Sequence, residues 1–143
     1  MIHDYIEDIC NILNIPVPNI SYDTSHFHSN TMMAQVDSSG KAIYLKKYNK
    51  PNFDQLFSIA HELRHIWQIK YNEKFYLETY KTIDLCYSVE EYNLQPAEID
   101  ANAFAYIVMV DFFGIKPLFN GLSENVKVKI MERVNEIVTE LSE

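Results

Sequence analysis

The chain has 143 residues, of which 48% are apolar and 13% aromatic, with only three glycines and five prolines. That length suits one domain with a real core, and the composition excludes collagen-like and intrinsically disordered character. Twenty acids against twelve bases leave a net charge of −8, which argues against direct nucleic-acid contact, because phosphate binding needs a basic surface.

Ile2, Tyr5, Ile6, Ile9 and Leu13 recur at helical spacing, and the Ile-Pro-Val-Pro stretch at 15–18 ends that helix. The character then changes to β-rich segments at 19–22, 31–37 and 41–47. The Asp37-Ser38-Ser39-Gly40 turn joins the last two as a hairpin. A three-stranded antiparallel sheet is expected, with 41–47 as an edge because lysines commonly mark one. Asn52 and Gln55 form a capping-box pattern ahead of a helix over about 53–71. Residues 72–95 are ambiguous, with a short helix around 76–85. Pro96 opens a further helix and Gly114 closes it. Ser123 caps a last amphipathic helix bearing Val126, Ile130, Val134, Ile137 and Leu141 on one face.

Cys10 lies on the first apolar stripe, and Cys86 stands alone, so no disulfide framework is expected. With no secretory leader read in the sequence, a reducing cytoplasmic setting is the expectation. The longest apolar run, 103–110, stops at Asp111, far short of the roughly 20 residues a bilayer needs.

The chemistry is concentrated in Ser58-Ile59-Ala60-His61-Glu62-Leu63-Arg64-His65-Ile66-Trp67-Gln68, which holds H-E-x-x-H inside a predicted helix. Histidines four apart share a face, so both imidazoles reach one ion, while Glu62 is rotated enough to hold a water beside it. With five histidines in the chain, chance supplies this pattern on the order of 0.01 times. Catalytic zinc takes three protein ligands and keeps a position open. The third is expected from Pro96-Ala97-Glu98-Ile99-Asp100-Ala101-Asn102-Ala103-Phe104-Ala105, a helix apolar almost all round whose polar residues cluster near its start. A buried carboxylate without a partner is costly, and a divalent cation removes that cost. Glu98 shares a face with Ala101, Asn102 and Ala105, and the small alanines permit close approach to the histidine helix. Asn102, one turn on, suits the free N–H of a ligand histidine. Asp100 competes for that role and as an alternative ligand.

HELRH followed by AEIDANAFA resembles the ImmA/IrrE group of short zinc metallopeptidases of phage and mobile-element type. The resemblance implies a minimal zincin-like α+β fold over roughly 5–140, zinc on His61, His65 and Glu98, and Glu62 as catalytic base. It also implies a protein substrate, with a separate helix-turn-helix repressor as the regulatory partner. Arg64 departs from the small residue usual there, and the 72–95 stretch is long. The expected function is therefore a zinc-dependent endopeptidase; the alternative is a non-proteolytic metal-containing module that sequesters a partner through its acidic middle. Residues 51–100 carry nine acids and four bases, a cation- or base-attracting stretch. Tyr87 and Tyr92 are candidates to stabilise an oxyanion. His26 and His28 form an H-x-H pair with a weaker claim to a second metal.

Overall fold

Tyr5, Ile6, Ile9, Cys10 and Leu13 become the buried face of α1 (Ile2–Leu13) in a computed structural model describing residues 1–27 and 29–142. Asn14 ends this helix in the left-handed region (φ 55°), its N–H returning to the Asn11 carbonyl and the next N–H, of Ile15, to that of Cys10. Asparagine tolerates that conformation better than most side chains. His28, half of the H-x-H pair, falls outside the described residues; His26 lies against the Tyr44 ring at 5.4 Å.

Three short strands follow: β1 (Asn19–Ser21), β2 (Ala34–Val36) and β3 (Ala42–Leu45). The turn after β2 forms as expected, with Gly40 N–H donating to the Asp37 carbonyl at 3.0 Å and Gly40 at φ 73°. Asp37 Oδ1 also accepts from Lys41 N at 2.9 Å. This hairpin makes β2 and β3 antiparallel, but β1 runs parallel to β3 and the order is β1-β3-β2. Two expectations fail here. The sheet is mixed rather than antiparallel, and the 41–47 segment is its centre, not an edge. Alternation reports which face is buried and carries no sign for the direction of a neighbour. The lysines flank the strand instead: Lys41 precedes it, and Lys46 reaches the Asn30 carbonyl from beyond its end.

α2 (Phe53–Tyr71) starts at Asn52, whose side chain accepts from Gln55 N at 2.8 Å. Only half of the capping box forms, since the Gln55 amide donates to the Lys46 carbonyl. Residues 72–95 contain no 76–85 helix. They hold α3 (Glu73–Tyr76), a 3-10 turn (Ile83–Leu85) and α4 (Val89–Asn93), the last capped by Ser88. α5 (Pro96–Phe113) begins on its proline and ends at Gly114, φ 64°. Ser123 Oγ accepts from Val126 N at the start of α6 (Glu124–Ser142).

α5 packs between α2 and α6, while β2 and α1 cover other faces of α2. Ile6, Ile9, Ile43, Ile59, Leu63 and Ile130 are fully buried at this junction, each worth about 2 kcal/mol of burial. Ala97, Ala101, Ala103 and Ala105 are fully buried too; their small side chains let α5 lie close along α2. Among the described residues no helix is long and apolar enough to cross a membrane.

Candidate metal centre

His61, Glu62 and His65 are placed by two turns of α2, and Glu98 by the first turn of α5. Nε2 of His61 and Nε2 of His65 stand 3.1 Å apart. Glu98 Oε2 lies 2.8 Å from the second and 3.6 Å from the first. The three residues form a group able to hold a metal ion.

The hydrogen bonds on the far side of each ring determine what these atoms can do. His61 Nδ1 meets Asn102 Oδ1 at 2.8 Å, and His65 Nδ1 meets Gln68 Oε1 at 2.8 Å. The Gln68 amide cannot be reversed, because its nitrogen already donates to the Ala97 carbonyl and Asp100 Oδ2, both at 2.9 Å. Facing the fixed Gln68 oxygen, His65 Nδ1 must carry hydrogen, and Asn102 Oδ1 favours the same on His61 Nδ1; in neutral imidazoles both Nε2 atoms then present lone pairs. Two lone pairs and a carboxylate oxygen therefore meet with no donor among them. Glu98 Oε2 is buried and accepts no well-directed hydrogen bond despite its 2.8 Å approach to His65. The contact is that of groups aimed at a common third point.

A cation meets that demand. Tetrahedral zinc with bonds near 2.0–2.1 Å holds its ligand atoms about 3.3–3.4 Å apart, close to the observed 2.8, 3.1 and 3.6 Å. Without an ion, a proton is the substitute. Burial disfavours charge on His65, but the Glu98 carboxylate beside it, with Glu62 adding, raises its pKa from 6.5 to about 9. Burial would raise Glu98 as well; the two imidazoles outweigh it and hold that carboxyl below the usual range.

Glu62 Oε2 stands 3.9 Å from His65 Nε2, beside the cluster. Burial pushes its pKa up, with the neighbouring histidines opposing. That is the direction a proton acceptor needs if it is also to give the proton away.

Asp100 reaches His65 only through Gln68. Its carboxylate takes two bonds from Arg64, at 2.7 and 3.0 Å, and one from Arg133 of α6 at 2.9 Å. Arg64, unusual beside the histidines, is thereby paired, and its guanidinium stacks 3.6 Å over the Trp67 ring. Gln68 escaped the sequence reading. Its signal was available: it lies one turn beyond His65 on the histidine face, polar on an otherwise core-facing helix. Tyr87 is 98% exposed. Tyr92 instead pairs its hydroxyl with that of Tyr80 at 2.8 Å. Burial, and then the charge of Glu98, raise both phenols, Tyr80 to about 12. A groove of about 790 Å³ between Trp67, Tyr76, Ile99 and Arg133 includes none of the cluster residues. The donor set marks the site, and volume does not.

An H-E-x-x-H helix meeting a carboxylate from a second helix, beside a small sheet, is the architecture of a minimal zincin, a metal-dependent peptidase class. More narrowly, the IrrE N-terminal-like domain of peptidase family M78 matches residues 9–138, and the chain belongs to that family. No curated protein and no solved structure matches it.

Proposed function

We propose that the protein is a zinc-dependent endopeptidase acting on a specific polypeptide, with His61, His65 and Glu98 as metal ligands and Glu62 as general base. A regulatory helix-turn-helix repressor is the substrate the family resemblance favours. The observation that carries this reading is the convergence of two imidazole lone pairs and one buried carboxylate oxygen, with a second carboxylate 3.9 Å away. Nitrogen and oxygen donors of this kind suit zinc among the transition metals. When bound, the ion supplies Lewis acidity that brings water ionisation near neutral pH and polarises a peptide carbonyl.

The chain's own groups do the rest. Asn102 and Gln68 hold the two rings in the tautomer that leaves Nε2 free. Glu62 takes the proton from the attacking water and delivers it to the leaving amine nitrogen. Tyr80 and Tyr92 put hydroxyl donors beside Glu98, on hand for charge growing on the carbonyl oxygen. A structural zinc has no need of a base and usually sits in a closed, cysteine-rich site; Glu62 and the cysteine-free cluster favour catalysis over a purely sequestering module.

The test incubates the zinc-loaded protein with a proteome-derived peptide library and reads new termini by mass spectrometry. Cleavage that disappears on chelation and in Glu62→Gln, while that variant still binds zinc, supports the reading. Cleavage undiminished in Glu62→Gln refutes it.

A further inference from the structure

The segment joining the two metal-binding helices exposes more apolar surface than a connecting loop needs. Ile83, Leu85, Tyr87 and Val89, at alternate positions, are 54, 66, 98 and 60% exposed. Single exposed apolar residues are ordinary, but four large ones within seven positions mark an interaction surface. The same segment holds much of the chain's acidity. Glu73, Glu78, Asp84, Glu90 and Glu91 stand there against Lys74 and Lys81, a net charge of −3. Glu90 accepts from the Asn125 amide at 3.2 Å and Glu91 from the Tyr87 backbone N–H at 2.6 Å. Those donors are neutral, so the negative charge of Glu90 and Glu91 is left for a partner.

The segment is also fastened beside the metal cluster. Gln95 grips it from both ends of its amide, accepting from Lys81 N at 2.7 Å and donating to the Lys81 carbonyl at 2.9 Å. The Tyr80–Tyr92 hydroxyl pair ties the same stretch to α4, next to Glu98. An occupant of this surface is therefore held on a segment whose base, at Tyr80 and Tyr92, stands beside Glu98.

We propose that residues 83–89 are the docking surface for the polypeptide substrate of the metal site, and that they select a segment in which apolar residues are interspersed with Lys or Arg. The proposal rests on the peptidase reading and adds a substrate class to it. Apolar side chains of the substrate cover Leu85, Tyr87 and their neighbours, while its cations meet the carboxylates. A second copy of this chain is disfavoured, because face-to-face docking sets −3 against −3.

The experiment uses zinc-loaded Glu62→Gln protein and three fluorescein-labelled 12-residue peptides, built from leucine with lysine, leucine with glutamate, and serine with lysine. Fluorescence polarisation is expected to show the leucine–lysine peptide binding at least tenfold tighter than the other two. Leu85→Ser with Tyr87→Ser is expected to abolish that preference while zinc uptake stays unchanged, which certifies the fold. Equal binding by the double variant, or equal binding of the serine–lysine peptide, overturns the proposal. So does a dimer, seen by sedimentation, that the same substitutions dissolve. The peptidase reading fails separately: library cleavage that persists in Glu62→Gln removes it, while the polarisation result stands by itself.

Discussion

Replacing Gln68 with leucine removes three hydrogen bonds at nearly constant volume: one from His65 Nδ1 at 2.8 Å, and those to Ala97 O and Asp100 Oδ2 at 2.9 Å. The losses are unequal. Asp100 keeps Arg64 and Arg133, and the Ala97 carbonyl still serves its own helix. His65 Nδ1–H is left as a buried donor without an acceptor, which costs about 1–3 kcal/mol. Stability of the zinc-free protein should therefore fall by about 2 kcal/mol in urea denaturation. The ring also loses the contact that sets its tautomer, so zinc affinity should drop about 10- to 100-fold, measured by chelator competition. Gln68→Glu keeps an acceptor for Nδ1 and should hold zinc better than Gln68→Leu, although it sets a second carboxylate against Asp100. If Gln68→Leu binds zinc as tightly as the parent, the argument from ring orientation is wrong.

Zinc uptake should depend on pH with a known sign. His65, raised from 6.5 to about 9, must give up its proton to bind the ion, so affinity should climb by up to tenfold per pH unit and level off near pH 9. In the zinc-free protein the same proton stabilises the fold fully below pH 6.5, and that contribution should be lost as pH rises through about 9; melting temperatures with and without chelator test both. Asp100 has the opposite sign: burial raises it, yet Arg64, Gln68 and Arg133 together hold it below its ordinary range. Its contribution is present above about pH 4 and lost on further acidification. Asp100→Asn should flatten that acid limb and cost about 3 kcal/mol at neutral pH, because it leaves buried guanidinium charge short of a carboxylate; an unchanged acid limb refutes the assignment.

What was legible in the sequence was whatever repeats locally. The α1 stripe, the Asn52 and Ser123 caps, Pro96 and Gly114 each act within a turn or two of chain, and each stands where its local chemistry puts it. The convergence of His61, His65 and Glu98 was legible for a different reason, since three costly polar groups on core-facing helices leave few ways to be satisfied. Strand direction was not, because β1 finds β3 across a long intervening connection and nothing in three residues of alternation encodes that. The 72–95 stretch also resisted. Its conformation is set by the Gln95 grip on Lys81 and the Tyr80–Tyr92 pair, which are tertiary contacts without periodicity. Gln68 was missed because its role appears only once the orientation of its amide is known from three partners.

The division of the cluster between two helices has a consequence for assembly. On the proposed ligand set, a chain in which α2 has formed but α5 has not yet docked would offer only a two-pronged grip, His61 and His65, and hold an ion loosely. Capture would become firm when α5 brings up Glu98, and from then on pulling the helices apart would mean surrendering the ion. Metal binding and helix docking would then be a single equilibrium, with chelation expected to loosen the α2–α5 seam first.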